Sequence, residues 1–180
     1  MSAPLTLDDL SATGAHRRGH FLLSSGLHSG DYLQCALHLA HPRRAEAAGR
    51  QLAAAIRASG ARPELVVGPA MGALIIGHET ARALDLPFLF TERADGSMCL
   101  RRGFAVAPGQ PVVVIEDVIT TGKSTLEVIA ILEEAGAEVV AVGSLANRTG
   151  QPNPFAPMAY HALLELSFPT WRAEECPLCG

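Results

Sequence analysis

Residues 112–115 constrain the fold more than any other segment of the chain. They form the uninterrupted apolar run VVVI, which follows Pro111. A strand with one face in water alternates apolar and polar residues, whereas a continuous run of β-branched residues is typical of a strand covered on both faces. The run therefore predicts the central strand of a parallel sheet with helices on both sides.

Helical and extended segments alternate around this strand. Stretches rich in helix formers, or with an apolar stripe of helical length, predict helices at residues 45–58, 73–84 and 126–132. Apolar runs bounded by Gly or Pro predict strands at residues 65–67, 88–90 and 138–142, and Thr6 with Asp9 predicts a short capped helix. This order indicates an α/β fold with a mostly parallel central sheet flanked by helices.

The composition permits a single folded domain over residues 1–180. Hydrophobic residues make up 48% and charged residues 18%, which provides a core and excludes a disordered chain. The net charge of -4 leaves no positive excess for a nucleic-acid backbone. No signal peptide or membrane span is recognisable, and four cysteines are too few for a disulfide-stapled secreted domain. We therefore expect a cytoplasmic protein with no nucleic-acid or membrane partner.

The residues that follow the central run carry the clearest chemistry. Glu116 and Asp117 come where a strand is expected to end, so that both carboxylates can turn toward a pair of vicinal hydroxyls. Small hydroxyl residues and backbone N–H groups follow at the start of a helix, where the dipole favours a phosphate; these are Thr120, Thr121, Gly122, Ser124 and Thr125. A triphosphatase loop is excluded, because Asp117 stands where it needs Gly. An ordinary capped strand-to-helix turn is the simpler alternative.

Several segments together resemble a known enzyme family. The string VVVIEDVITTGKS resembles the phosphoribosyl pyrophosphate (PRPP) motif of type I phosphoribosyltransferases, and its DVITTG part has the form found in orotate phosphoribosyltransferases. GHFLLSSGLHSGDYLQ, VVGPAMGALIIG, FTERADGSMCLRRGF and LANRTG extend the likeness over nearly the whole chain. With the ending LLELSFPTWRAEECPLC, the chain resembles most closely the Thermus-type bacterial branch.

The resemblance implies transfer of the phosphoribosyl group of PRPP to N1 of orotate, in pyrimidine biosynthesis. It assigns Glu116 and Asp117 to the ribose hydroxyls and to catalysis. It assigns the rest of the PRPP site to Val118, Ile119, Thr120, Thr121, Gly122, Lys123 and Ser124, together with Ala70, Met71 and Gly72. Orotate would contact Ser25, Thr120 and Arg148, whose planar guanidinium suits a carboxylate. Mg²⁺ is expected through PRPP and water rather than through protein ligands.

The segment at residues 91–108 interrupts the alternation and is expected to be a mobile loop or a hairpin. Its arginines are Arg93, Arg101 and Arg102, and the resemblance implies that they meet the leaving pyrophosphate in the partner of a homodimer, although a solvated hairpin is an alternative. The chain departs here from better-known orotate enzymes, which carry Lys and His in this loop and a Lys at the place of Ser24. Since Arg cannot lend a proton, stabilisation of the leaving group must be by charge, or the proton must come from elsewhere.

About residues 1–40 are expected to form a hood over the base, with Tyr32 and Leu33 either facing the base or in the core. Two alternatives to the orotate enzyme share its scaffold: a purine phosphoribosyltransferase, without a carboxylate clamp, and an RNA-binding regulator, which needs a basic face. Cys176 and Cys179 have the spacing of half a zinc site or a redox pair. Since no second Cys pair or His pair lies at ligand spacing, the sequence predicts no metal there and a pair dispensable for chemistry.

Overall fold

A computed structural model describes residues 3–23 and 25–179. The predicted departure at Ser24 lies outside these residues. The α-helices are α1 (Leu7–Ser11), α2 (Cys35–Leu39), α3 (Pro42–Ala58), α4 (Ala73–Leu84) and α5 (Lys123–Glu134). The strands are β1 (His16–Leu22), β2 (His28–Leu33), β3 (Leu65–Pro69), β4 (Phe88–Ala94), β5 (Ser97–Leu100), β6 (Pro111–Ile119), β7 (Glu138–Asn147), β8 (Ala159–Glu165) and β9 (Thr170–Trp171).

The main sheet has six strands in the order β5-β4-β3-β6-β7-β8. All neighbouring strands are parallel except β4 and β5, which form an antiparallel hairpin at one edge. The predicted mostly parallel sheet is thus confirmed, with β3 and β6 at its centre. No helix in the described ranges is long and apolar enough to cross a membrane.

The side chains of β6 divide between two hydrophobic cores. Val113 and Ile115 pack with residues of α3 and α4 on one face, whereas Val112 and Val114 pack with residues of α5 on the other. All four are fully buried. The apolar run is therefore explained by burial on both faces, as the sequence predicts.

A second sheet of three strands, in the order β1-β2-β9, is separate from the main sheet, and we call it the hood. Its strands pair antiparallel, with Ser29 opposite Thr170 and His28 opposite Trp171. The hood is thus built from both ends of the described chain, whereas the sequence predicts only an amino-terminal contribution. Leu33 packs against the core, and the ring of Tyr32 lies 5.4 Å from that of Phe21.

Several elements are longer than predicted. β6 continues to Ile119 because it pairs with β7 as far as Asn147. β4 continues to Ala94 because it turns back into β5 at Asp95 and Gly96, both with positive φ. The first part of the 91–108 segment is consequently a hairpin, and only its remainder is irregular.

Candidate functional site

The strand order places a crevice between β3 and β6. From β3 the chain passes through α4 to β4 on one side, whereas from β6 it passes through α5 to β7 on the other. Ligands of open α/β sheets bind beyond the carboxyl ends of the strands at such a reversal. The predicted donor segments, 70–72 after β3 and 116–124 at the end of β6, meet at this point.

Two glycines allow β3 and its following turn to approach β6 closely. A Cβ on Gly68 would lie 2.6 Å from the Ile115 carbonyl oxygen, and a Cβ on Gly72 would lie 2.6 Å from Asp117 Oδ1. The peptide between Ala70 and Met71 is cis, and the Met71 side chain is 81% exposed. The turn therefore leaves its backbone beside the Asp117 carboxylate and open to a ligand.

The two acids lie at the floor of this crevice, where Glu116 is buried and Asp117 is partly buried. Asp117 N–H donates to Glu116 Oε1 at 3.1 Å, and Val118 N–H donates to Asp117 Oδ1 at 2.7 Å. Burial raises the pKa of Glu116, and the nearby Asp117 charge raises it further. Burial also raises the pKa of Asp117. The pair can thus hold a proton as well as accept hydrogen bonds, which suits a ligand with hydroxyl groups.

The loop from β6 to α5 encloses a small cavity of about 60 Å³, lined by Glu116 and residues 118–125. Gly122 caps α5 with a φ of 75°, and Phe155 packs against it. Thr120 and Thr121 are exposed, and Thr121 Oγ1 accepts the N–H of Lys123 at 3.3 Å. The helix N-terminus and these hydroxyls line a concavity, and a concavity at a helix N-terminus is of the kind that favours an anion.

Arg148 follows β7 directly and is half-buried. The backbone N–H of Arg148 donates to the backbone carbonyl of Ile119 at 2.7 Å, and this hydrogen bond joins Arg148 to the end of β6. The Nε atom is buried and has no hydrogen-bond partner among the described residues. Burial lowers the pKa of Arg148, and the negative charge of Asp31 opposes that shift. An unpaired buried guanidinium nitrogen indicates a missing acceptor.

Arg148 faces the hood through residues that sequence reasoning did not single out. Its guanidinium lies 4.8 Å from the centroid of the Phe168 ring, which stacks on His16 at 5.3 Å. His16 Nε2 lies 2.8 Å from Asp31 Oδ1. Burial raises the pKa of the Cys35 thiol, with Asp117 adding to the shift and Arg148 opposing it.

Ser25 is exposed in the turn between β1 and β2, where its Oγ accepts the Leu27 N–H at 3.5 Å. This predicted orotate contact therefore belongs to the hood and not to the loop between β6 and α5.

The loop arginines are paired with acids of their own chain. Arg93 Nη2 lies 2.5 Å from Glu127 Oε2 on α5. Arg102 Nη2 lies 3.0 Å and Arg101 Nε 3.9 Å from the carboxylate of Glu92. All three arginines are exposed, so these pairs are weak restraints that a polyanion can replace.

The sequence prediction that Cys176 and Cys179 lack matching ligands is wrong. The structure brings His20 and His28 of the hood to them, with the four ligand atoms within 4.8 Å of one another. The spacing rule failed because these histidines lie near the other end of the chain, so no local pattern joins them to the cysteines.

Comparisons with known proteins agree with the geometry. The sequence profile of the phosphoribosyl transferase domain matches residues 38–156. The chain is 46% identical over 180 residues to the orotate phosphoribosyltransferase of a Nitratiruptor species, covering 93% of this chain and 89% of the relative. It is 47% identical over 170 residues to that of Thermotoga maritima, covering 94% and 89%. The narrower likeness to the Thermus-type branch stays a prediction.

Solved structures share the fold. The orotate phosphoribosyltransferase of Aeropyrum pernix superposes with a TM-score of 0.73 at 26% identity, over 88% of this chain and 92% of that one. An adenine phosphoribosyltransferase from Thermoanaerobacter pseudethanolicus gives 0.71 at 16% identity, over 89% and 100%. Enzymes named for different bases thus share this fold, so the fold alone does not distinguish an orotate enzyme from an adenine enzyme. Sequence identity makes that distinction. On that identity, which extends over more than nine-tenths of its length, the chain belongs to the orotate phosphoribosyltransferase family.

Proposed function

We propose that this chain catalyses the transfer of the phosphoribosyl group from PRPP to N1 of orotate, giving orotidine 5'-phosphate and pyrophosphate. The bond from C1' to the pyrophosphate oxygen breaks, and the bond from C1' to N1 forms. One observation carries the proposal: the acid pair and the anion-binding loop of β6 end beside Arg148, whose Nε lacks an acceptor among the described residues. A phosphorylated sugar and a carboxylate-bearing base match these two parts.

The donor would lie across the crevice between β3 and β6. The N-terminus of α5 and the hydroxyls of Thr120, Thr121 and Ser124 would hold the 5'-phosphate. Glu116 and Asp117 would hold the ribose hydroxyls, since their raised pKa values let the pair both donate and accept hydrogen bonds. The backbone of residues 70–72, which lies against Asp117, would meet the pyrophosphate.

The base would lie between Arg148 and the acid pair. The guanidinium would bind the orotate carboxylate through two parallel hydrogen bonds, one of them from the unpartnered Nε. The Phe168 ring on its other side would fix the plane of the guanidinium. Thr120, the first residue after β6, and Ser25 of the hood would complete the base site.

Mg²⁺ would accompany the donor. Mg²⁺ at phosphate-binding sites is held mainly by substrate phosphates and water, with few protein ligands. When bound, Mg²⁺ would neutralise charge on the departing pyrophosphate.

Rupture of the C1' bond leaves positive charge on the ribose ring and negative charge on the leaving group, so stabilisation would be mainly electrostatic. Asp117 would face the ribose charge. Arg93, Arg101 and Arg102 would leave Glu127 and Glu92 and meet the pyrophosphate in the partner of a homodimer. Their exposure supports this role, as does their position, Arg93 in the β4–β5 hairpin and Arg101 and Arg102 directly after it.

The change in orotate absorbance, measured after the protein is mixed with PRPP and Mg²⁺, tests the proposal. We expect turnover of orotate and none of adenine, guanine or uracil. Asp117→Asn keeps the volume and removes the charge, and it should lower turnover by roughly two to three powers of ten, about 3–4 kcal/mol. Consumption of adenine but not orotate would show that the purine alternative is right.

A further inference from the structure

A second cluster of reactive side chains lies outside the phosphoribosyl site, where the carboxyl-terminal segment crosses the hood. His20 Nε2 lies 2.8 Å from His28 Nδ1 and 3.5 Å from Cys179 Sγ. Cys179 Sγ lies 3.1 Å from His28 Nδ1, and Cys176 Sγ lies 3.6 Å from His20 Nε2. Both cysteines are free thiols. Two nitrogens and two sulfurs thus point at one another.

These separations are close to the edges of a zinc coordination tetrahedron. With Zn–N of about 2.0–2.1 Å and Zn–S of about 2.3 Å, tetrahedral geometry places the two nitrogens about 3.3 Å apart and each nitrogen about 3.5 Å from a sulfur. The observed nitrogen–sulfur distances of 3.1–3.6 Å lie around that value. The nitrogen–nitrogen distance of 2.8 Å is shorter than its edge, so a small rotation of one imidazole accompanies binding.

The local structure is shaped to bring the ligands together. The register of β1 with β2 shifts between Arg18 and Phe21, so the bulge lies beside His20, and beyond it Leu22 pairs with His28. His20 and Leu22 are two residues apart on one strand, and His28 is opposite Leu22, so both rings lie on one face of the hairpin.

The cysteine pair forms a tight turn on that same face. Cys179 N–H donates to the Cys176 carbonyl at 3.2 Å, which brings the two thiols to one side. The intervening Leu178 lies over Gly30, where a Cβ would be 3.7 Å from Leu178 Cδ1. β9, which precedes the turn, pairs its Trp171 with His28. The turn is therefore held in place by backbone pairing as well as by its own side chains.

We propose that His20, His28, Cys176 and Cys179 bind one Zn²⁺ ion in a closed structural site. Two thiolates and two imidazoles are a ligand set that zinc prefers, and four protein ligands leave no position for a substrate. Binding releases the two thiol protons to solvent. The ion fastens the carboxyl-terminal segment to the β1–β2 hairpin, and this role does not depend on the proposed reaction.

Elemental analysis of the protein, purified without a polyhistidine tag from zinc-supplemented cells, tests the site. We expect one zinc per chain, and near-complete loss in Cys179→Ser and in His20→Gln. The matched controls Cys99→Ser and His78→Gln, which lie outside the cluster, should keep the metal. Zinc absent from the native chain, or retained in both cluster variants, would overturn the proposal.

Reconstitution of the native chain with Co²⁺ keeps the test independent of variant folding. A tetrahedral site with two thiolates gives intense visible d–d bands and thiolate-to-metal charge transfer, both of which Zn²⁺ should displace. A pale octahedral spectrum would contradict the site. So would a Cys176–Cys179 disulfide in freshly purified protein, detected by thiol counting and mass spectrometry, since the pair would then be a redox couple.

Discussion

At Arg148, the proposed base site and the proposed sugar-phosphate site can be tested separately through a single side chain. Its buried Nε lacks a described partner, and Phe168 fixes the plane of its guanidinium. The surrounding loop is fixed by Asn147, whose side chain donates to the Gln151 carbonyl at 2.8 Å and to Glu165 Oε2 at 2.7 Å. The surroundings of the Arg148 side chain are therefore held by contacts of its own chain, without a ligand.

Arg148→Ala should weaken orotate binding while leaving PRPP binding nearly intact. Loss of a two-pronged, charge-assisted contact in a partly desolvated site costs on the order of 2–4 kcal/mol, or roughly 30-fold to 1000-fold in affinity. Arg148→Lys should not restore binding, because an ammonium cannot reproduce the planar fork. Calorimetric titration with each ligand separately measures both effects. Loss of PRPP binding with orotate binding kept would contradict the base-site assignment.

Glu116 is expected to lower the stability of the ligand-free fold as pH rises. Its pKa in the folded state is raised above the ordinary 4.5, so above that pH the folded chain keeps a proton that the unfolded chain has lost. Stability therefore falls with increasing pH until the folded-state pKa is reached. Glu116→Gln removes this dependence and should raise Tm at pH 8 but not near pH 4, with each kcal/mol worth roughly 2–4 °C.

Thermal unfolding of the native chain and of Glu116→Gln at both pH values measures this difference. The exposed Glu64→Gln is the matched control and should leave Tm unchanged at both. Equal Tm values for Glu116→Gln and the native chain at pH 8 would show that the buried carboxyl is not destabilising.

At the scale of elements, the turn after β3 depends on its contact with β6. Gly72→Ala places a methyl group 2.6 Å from Asp117 Oδ1, so the turn or the carboxylate must move. We expect a lower Tm and weaker PRPP binding by calorimetry. In the background Asp117→Ala, the same substitution should cost much less Tm, because the colliding carboxylate is gone. An equal cost in both backgrounds would show that the strain arises elsewhere.

The elements that the sequence predicts best are those whose pattern is set by burial. The run at residues 112–115 is apolar because two cores meet at β6, and α4 matches its predicted residues, Ala73–Leu84. The sequence does not predict β8, because most of its residues are half-buried and its apolar and polar residues do not alternate clearly. Pairing of β9 with the hood, and the meeting of His20 with Cys176 over a separation of 156 residues, could not be predicted, because only the fold brings them together.

At the scale of the whole molecule, sharing of the loop between subunits has a clear signature. A chain with Arg101→Ala and Arg102→Ala lacks two of the three loop arginines but keeps Asp117, whereas Asp117→Asn keeps the loop arginines and loses the acid. If the loop serves the partner, a mixed dimer contains one native site, and about a quarter of all sites recover on random mixing of equal amounts. If the loop serves its own chain, mixing should restore no orotate turnover.

Orotate turnover before and after subunit exchange measures that recovery, and each variant mixed with itself is the control. Sedimentation of the mixture establishes that subunits have exchanged. Exchange without recovered turnover would contradict the shared loop while leaving the proposed reaction in place.

The hood joins segments from both ends of the described chain, and this has a consequence for the order of events during protein synthesis. β1 and β2 are made before the strands of the main sheet, and β9, which pairs with β2, is made only after every strand of that sheet has been translated. Most of the main sheet, from β3 to β7, is therefore translated while the hairpin still lacks its third strand. Such long-range pairing is slow to form, so the nascent hairpin presents an unpaired β2 edge throughout translation of the sheet. For this chain, chaperone protection during synthesis should matter most at β2.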